Sequence, residues 1–181
     1  MTILICILVA DFLTGLVHWA EDTYGLPTLP LIGKLVIEPN IEHHRDPTLM
    51  ATMGTWLTRN LQPALLAISG SVLFWLIGFR TWPVFLIAVL AAFGNEVHAW
   101  NHRPKAECNW LINFLHDSGV IQSRKQHAMH HKKPFDSYYC TLTNVTNAVL
   151  ERCNFWRITE AVLLKVFGLT VKRMSEQRGG W

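Results

Sequence analysis

Three histidines lie close together in the segment from Arg124 to His131. They are His127, His130 and His131, in the pattern H-x-x-H-H. If this segment is helical, the three rings share one face, because residues three and four apart are neighbours on a helix. Neutral imidazole is the commonest protein ligand for transition metals, so three rings aimed at one point indicate a metal site. The alternative is a solvated basic loop, because lysine and arginine residues flank the run on both sides.

Two further histidine pairs occur earlier in the chain. His98 and His102 are spaced i, i+4, which is typical of a metal-binding pair on one helix face. The glutamate of the H-E-x-x-H motif is missing, so zinc-protease chemistry is not expected. His43 and His44 are adjacent. Because adjacent residues cannot share a helix face, they could serve two different ions, or one of them could support the other from behind.

Polar residues also interrupt the apolar segment at the start of the chain. Asp11, Thr14 and His18 fall on one face of a predicted helix. A carboxylate near the centre of a membrane helix costs at least about 2.5–3.5 kcal/mol on insertion scales. We therefore expect this face to point into the protein and to have a functional role. The alternative is a polar contact between helices.

Composition indicates a membrane protein of one domain, residues 1–181. Half of the residues are apolar, eight are tryptophan and the net charge is only +3. The basic residues concentrate after residue 100, which suits the cytoplasmic face of a membrane. No nucleic-acid-binding motif is present, so nucleic acid is not an expected partner. The four cysteines form no C-x-x-C pair, and we expect them to be reduced.

Three segments have the length and apolar character of membrane spans, at residues 1–20, 61–79 and 82–100. The first lacks a basic start and a cleavage site, so a signal peptide is not expected. Cytosolic or interfacial helices are predicted over 103–170, and a frayed end over 174–181. The predicted fold class is an all-α integral membrane protein with about three to four transmembrane helices and a histidine-rich cap on the cytosolic face.

Amphipathic patterns fill the parts between and after the spans. Residues 21–60 contain many proline and glycine residues, which predicts loops and short interfacial helices. Residues 147–170 are predicted to form one amphipathic helix. Its expected buried positions are Phe155, Trp156, Val162, Leu163 and Val166.

This topology predicts that eight of the nine histidines converge. With three spans, the 21–60 segment and everything after residue 102 lie on one side, together with most of the lysine and arginine. That side should be cytoplasmic. The histidines that reach it are His18, His43, His44, His98, His102, His127, His130 and His131. His116 stands outside every cluster and is interpreted as a surface or supporting residue rather than a ligand.

Eight imidazoles are too many for one zinc ion, which takes four ligands. They fit two metal ions with about four histidines each and open positions for O2, and imidazole ligation with open positions suits iron. Asp11, Asp22, Asp46 or Asn95 could orient the rings by accepting or donating hydrogen bonds behind them. Direct binding of metal by Glu21 or Asp22 is an alternative that the pattern leaves open. Two iron ions at the membrane face indicate O2 activation against a lipid C–H bond.

These motifs resemble those of the plasmanylethanolamine desaturase family, also called the Kua-type lipid desaturases. The resemblance covers roughly residues 11–157. Its motifs are D-F-L-T-G-L-V-H-W at Asp11, E-H-H-R-D-P at Glu42, H-x-x-x-H at His98, R-K-x-H-x-x-H-H at Arg124 and F-W-R at Phe155. The family includes animal and bacterial enzymes that form the vinyl ether of plasmalogens and a plant chloroplast enzyme acting on palmitate in phosphatidylglycerol.

The resemblance implies an O2-dependent lipid desaturase whose eight histidines are both metal ligands and catalytic residues. Conversion of the O-alkyl chain of a plasmanyl phospholipid to the vinyl ether is the expected reaction. Acyl-chain desaturation, fatty-acid hydroxylation and a non-enzymatic membrane haem protein are the alternatives. Since the chain has no flavin or nucleotide fingerprint, we expect an external electron donor, either a b5-type cytochrome or a ferredoxin. The expected location is the bacterial inner membrane or the endoplasmic reticulum, with the site on the cytoplasmic face.

Overall fold

The computed structural model describes residues 1–52 and 54–173, and within them it contains helices and no β-strand. The ten α-helices are α1 (Thr2–Tyr24), α2 (Glu38–Arg45), α3 (Leu49–Thr52), α4 (Trp56–Leu76), α5 (Trp82–Ala92), α6 (Gly94–His102), α7 (Trp110–Asp117), α8 (Arg124–His130), α9 (Asn144–Arg152) and α10 (Phe155–Phe167). A π-helical turn at Gly33–Ile37 leads into α2, and a 3₁₀ turn at Lys105–Glu107 precedes α7. The all-helical prediction is confirmed, whereas the predicted frayed end, residues 174–181, lies outside the described residues.

Two helical stretches are long and apolar enough to cross a membrane, Thr2–Tyr24 and Trp82–His102. The predicted span at 82–100 is divided at Phe93, where α5 ends and α6 begins. The predicted span at 61–79 falls largely in α4, which is not one of these two stretches. That helix begins at Trp56, because the Thr55 side chain caps it by accepting a hydrogen bond from the Thr58 backbone N–H. The count of three to four spans and the cytosolic position of the cap stay predictions.

The helices α1 and α4 both pack against α5. Their outward side chains are large and apolar, and Leu4, Leu65 and Phe85 are each more than half exposed. Water would disfavour so much exposed apolar surface, whereas hydrocarbon would not. The outer surface of α1, α4 and α5 therefore suits contact with lipid.

Short capping interactions determine where the helices around the histidines begin. The Ser123 hydroxyl accepts a hydrogen bond of 3.2 Å from the Gln126 backbone N–H and starts α8. The Thr143 hydroxyl lies 3.5 Å from the Thr146 backbone nitrogen at the start of α9. These caps fix where α8 and α9 begin.

The main hydrophobic core lies where α9 and α10 pack near the end of α1. Its centre is the stacked pair Trp19 and Trp156, whose ring centroids are 5.5 Å apart, with Tyr139 packed edge-on against Trp156. The predicted burial of Trp156 is confirmed, but Val162 and Val166 are exposed. The single helix predicted over 147–170 is divided into α9 and α10, because the chain turns at Asn154, which has a φ of 52°.

The segment after α10 returns to the end of α1. The Arg173 guanidinium donates a hydrogen bond of 2.8 Å to the Glu160 carboxylate and one of 3.1 Å to the Tyr139 hydroxyl. The Lys172 backbone N–H donates to the Thr23 carbonyl oxygen at 2.8 Å. These bonds hold the segment after α10 against the end of α1 and against Tyr139. Tyr139 lies directly beside the histidines.

Candidate metal centre

The structure brings together all eight histidines that the sequence analysis placed on one face. They come from four separate parts of the chain: α1, α2, α6 and α8 with the residue that follows it. Their nitrogen atoms, with the carboxylate of Asp22, form two adjacent groups, and within each group the atoms that could bind a metal lie within 4.8 Å of one another. Whether these side chains bind metal stays a prediction. Their convergence is a feature of the fold.

The larger group, called here the five-histidine group, consists of His43, His98, His102, His127 and His131. Its Nε2 atoms face one another. The distance is 2.7 Å between His127 and His102, and 3.2 Å between His131 and His127. His43 and His98 also place their Nε2 atoms 3.2 Å apart. Several imidazole nitrogens aimed at one small volume is the arrangement that a transition metal needs.

The second group, called here the Asp22 group, consists of His18, Asp22, His44 and His130. The Nε2 atoms of the three histidines lie 3.6, 3.4 and 3.3 Å from the Asp22 carboxylate oxygens, in that order. All four side chains are buried. The two groups are neighbours, since the ring centroids of His44 and His131 are 4.8 Å apart. About four histidines per ion was expected, but the structure gives five histidines in one group and three with a carboxylate in the other.

Backbone carbonyls fix the protonation of two rings in the Asp22 group. The Nδ1 of His18 lies 3.0 Å from the Tyr139 carbonyl oxygen, and the Nδ1 of His130 lies 2.9 Å from that of Ser137. A carbonyl can only accept, so each Nδ1 carries the proton and each Nε2 presents its lone pair to the group. This is the usual way in which a ligand histidine is oriented from behind.

The local helices explain how a short stretch of sequence serves both groups. His43 and His44 are adjacent on α2, so their side chains diverge, and each belongs to a different group. On α8, His127 points to the five-histidine group and His130 to the Asp22 group. The expectation that the H-H pair could serve two sites therefore agrees with where the two rings lie.

Burial keeps these rings neutral. It lowers the pKa of His127 and His130 well below the usual range of histidine, and the surrounding imidazoles lower it further. Burial has the same effect on the pKa of His43. A neutral imidazole has a free lone pair, whereas a protonated one has none. The site is therefore prepared to bind a cation.

Missing hydrogen-bond partners within the described part of the chain also indicate that these side chains fit a metal. Buried atoms without a hydrogen-bond partner there include the Nε2 atoms of His18, His44 and His130 and the Oδ2 atom of Asp22. Buried polar atoms normally have partners, because leaving one without costs about 1–3 kcal/mol. Several such atoms facing one another are explained if a cation binds between them. Nitrogen-rich ligation with one carboxylate suits a first-row transition metal such as iron.

Two of the four residues predicted to orient the rings, Asp11 and Asp46, bind other groups instead. The Asp11 carboxylate accepts hydrogen bonds from the backbone N–H groups of Leu142, at 2.8 Å, and Thr143, at 3.1 Å. Asp46 is exposed and accepts from Thr48. Each prediction was wrong because a nearer backbone or hydroxyl group satisfies the carboxylate.

The other two predictions also change. Asn95 donates a hydrogen bond to the Arg59 carbonyl oxygen and contacts no ring of the two groups through a hydrogen bond. Asp22 lies inside the ligand group instead of behind it, so the alternative of direct binding by Asp22 is the one that fits the geometry. Glu21 accepts a hydrogen bond of 2.9 Å from Gln62 and belongs to neither group.

The residues that support the Asp22 group were not predicted from the sequence. The Asn40 amide donates a hydrogen bond of 2.7 Å to the Asp22 carboxylate and orients it. Its spacing of i, i+4 to His44 was a usable signal. The carbonyls of Ser137 and Tyr139 have no side-chain signal, so sequence alone could not identify them. His116 belongs to neither group. It is buried, with its Nδ1 2.8 Å from the Gln122 carbonyl oxygen, so the surface alternative was wrong, whereas the expectation that it is not a ligand stays a prediction.

A cavity of about 1040 Å³ adjoins the two groups. It runs between α1, α4 and α5, and His18, His43 and His98 form part of its wall. Most of the wall is apolar, including Leu13, Val17 and Leu66. The cavity reaches the volume of the largest common ligand sites, about 300–1,000 Å³.

The fold and the site define a helical protein in which two adjacent histidine-rich groups, able by their geometry to hold metal ions, adjoin an apolar cavity. The chain belongs to the lipid desaturase family, because the lipid desaturase domain matches residues 7–174. The resemblance seen in the motifs is thereby confirmed.

Relatives of this chain carry desaturase names. Plasmanylethanolamine desaturase 1 of Mus musculus is 36% identical over 174 residues, which cover 89% of this chain and 63% of the mouse protein. Fatty acid desaturase 4-like 1, chloroplastic, of Arabidopsis thaliana is 29% identical over 95% of this chain and 59% of its own length. Plasmanylethanolamine desaturase of Myxococcus xanthus is 29% identical over 92% of this chain and 61% of its own length. The chain thus spans about six-tenths of the length of these relatives, and no solved structure matches it.

Proposed function

We propose that this protein is an O2-dependent membrane lipid desaturase with two iron ions. The observation that carries the proposal is the contact between the two ligand groups and the large apolar cavity, through His18, His43 and His98. A lipid chain in that cavity would place a carbon–carbon single bond beside the ligand groups. Membership of the lipid desaturase family supports the same chemistry.

The five-histidine group would hold one iron, and the Asp22 group would hold the other. Two bound iron ions would supply the redox chemistry through which O2 oxidises the lipid chain. The eight histidines and Asp22 would supply the ligands. The carbonyls of Ser137 and Tyr139 keep the ring nitrogens of His130 and His18 turned toward the site.

The protein contributes position, because the reaction at one carbon–carbon bond of a long chain depends on holding that bond beside the ligand groups. The apolar wall of the cavity would hold the chain straight and exclude water from the reacting bond. Removal of two hydrogens from adjacent carbons yields two electrons, and reduction of O2 to two waters needs four. The remaining two electrons and two protons must come from outside, with a b5-type cytochrome or a ferredoxin as the proposed donor.

The proposed substrate is the O-alkyl chain of a plasmanyl phospholipid, converted to a vinyl ether. The names of the mouse and Myxococcus relatives support this substrate. The Arabidopsis relatives, at 29–31% identity, support the second candidate, desaturation of an acyl chain. We further propose that the protein lies in the bacterial inner membrane or the endoplasmic reticulum, with the ligand groups at the cytoplasmic face.

Lipid mass spectrometry tests the proposal. Cells that make no vinyl ethers, supplied with an alkylglycerol precursor, should form vinyl-ether phospholipid when they express the wild-type chain and none when they express His127→Ala. His116→Gln is the matched control, because His116 lies outside both ligand groups, and it should keep the activity. A new acyl double bond with an unchanged ether pool would support the second candidate. No unsaturated product of either kind would exclude both.

A further inference from the structure

The cavity has a polar end and an apolar end. At the polar end lie the three histidines of its wall together with Arg59 and Gln62 on α4. At the other end lie Gly70 and Phe74 on α4 and Val84 on α5. The rise along α4 from Arg59 to Gly70 is about 16 Å, and to Phe74 about 22 Å, at about 1.5 Å per residue. A lipid with its polar head near the histidines would extend its chain toward Gly70.

Gly70 has no structural reason to be glycine. A Cβ built at this position meets nothing within 4 Å, and its φ lies outside the range that favours glycine. Glycine within a helix is destabilising by roughly 0.5–1 kcal/mol relative to alanine. The other helical glycines of the cavity region differ. A Cβ at Gly94 would lie 3.0 Å from Thr14 Cγ2, and one at Gly15 would lie 2.4 Å from Cys140 Sγ. Helix packing explains those two, but it does not explain Gly70.

Because Gly70 has no side chain, space remains beside it inside the cavity. We propose that Gly70 determines the length of hydrocarbon chain that the protein accepts, because the far part of the chain lies across it. This inference rests on the proposed function, since it assumes that the occupant is the alkyl or acyl chain of a phospholipid. A hydrocarbon chain is the proposed occupant because the cavity is an apolar channel with the ligand groups at one end.

The test is a graded series at one position. Gly70→Ala adds a methyl group into open space and should keep the wild-type product profile. Gly70→Leu and Gly70→Phe should shift the unsaturated products toward shorter chains. Each methylene that can no longer be buried should weaken binding about fourfold. The matched control is Ser69→Leu, because Ser69 is the exposed neighbour on α4 and lies outside the cavity wall.

The experiment separates this inference from the proposed function. If wild-type and Gly70→Phe proteins give the same chain-length profile at similar yield, the length-setting role is wrong and the desaturase function stands. A binding measurement covers the case in which no product forms. Purified wild-type protein is crosslinked with an octadecyl ether phospholipid that carries a diazirine at the chain terminus.

Crosslinks at or beyond Gly70 on α4, lost in Gly70→Leu for the octadecyl probe but kept for a tetradecyl probe, support the inference. Crosslinks elsewhere, or the same labelling in both proteins, overturn it. Size-exclusion chromatography and thermal unfolding in detergent confirm that each variant is folded. If Gly70→Phe fails that check, Gly70→Leu and the wild-type crosslink positions decide the question.

Discussion

The side-chain amide of Asn95 donates a hydrogen bond of 2.9 Å to the backbone carbonyl oxygen of Arg59. This bond joins α6 to α4. Its reason lies four residues further along α4, where Pro63 has no N–H to give to that carbonyl. Asn95 thus replaces a missing helical hydrogen bond and at the same time holds the helix that carries His98 and His102.

Asn95→Ala should destabilise the protein by about 1–3 kcal/mol, because it removes the amide donor from a carbonyl in an apolar helix. Pro63→Ala restores a backbone N–H at the correct position in α4. In the Pro63→Ala protein, Asn95→Ala should lower the free energy of unfolding by much less. Unfolding of the four proteins in detergent measures this double-mutant cycle. An equal cost of Asn95→Ala in both backgrounds would show that Pro63 is not the cause.

Asp11→Asn should destabilise the protein by about 2–3 kcal/mol. The Asp11 carboxylate is fully buried and accepts two backbone hydrogen bonds and one of 2.7 Å from the Thr143 hydroxyl. The asparagine amide would place its own N–H groups against these N–H and O–H donors. The segment it anchors also supplies the Tyr139 carbonyl to His18, so iron content should fall too. Asp46→Asn, at an exposed turn, should change the unfolding free energy by less than about 1 kcal/mol. Equal effects of the two substitutions would contradict the assigned role.

The two ligand groups should lose iron separately. His102→Ala removes a ligand of the five-histidine group, and Asp22→Asn weakens the other group. Each purified variant should retain about half of the iron of the wild-type protein, since each substitution affects one of two ions. Inductively coupled plasma mass spectrometry, together with the protein concentration, measures the iron per protein. His116→Gln is the control. Full iron in both variants would mean that these side chains are not ligands.

Acid should destabilise the metal-free protein below about pH 6.5. Burial holds the pKa of His43, His127 and His130 below the histidine value in the folded state. Between the folded and unfolded pKa values, the unfolded chain binds protons that the folded chain excludes, so stability falls as pH falls. The slope is about 1.4 kcal/mol per pH unit for each such histidine. Unfolding midpoints between pH 8 and 5 with a chelator present measure it, and a flat profile would contradict the neutral state of the rings.

The convergence of the histidines followed from sequence because it depends on few assumptions. Apolar segments of known length fix which ends of the helices meet, and the spacing at His98 and His127 fixes which faces meet. The roles of Asp11 and Asn95 did not follow, because their partners are backbone atoms of distant segments. The Arg59 carbonyl can bond to Asn95 because Pro63 has no N–H, and no pattern around Asn95 indicates this.

Burial of single apolar residues was less predictable. Trp156 is buried as expected, but Val162 and Val166 are exposed. In a chain with so many exposed apolar side chains on α1, α4 and α5, hydrophobicity alone does not separate a residue that packs inside from one on the outer surface. The division of the last predicted helix at Asn154 depends on a left-handed backbone conformation, which an asparagine permits but does not require.

The adjacency of His43 and His44 on α2 has a mechanical consequence. A single peptide unit links one side chain of the five-histidine group to one of the Asp22 group, so neither ring can shift far without the other. A tilt of this two-turn helix would loosen or tighten both ions in concert. Occupancy of one site should therefore change the affinity of its neighbour through the backbone, although each site can lose its ion separately.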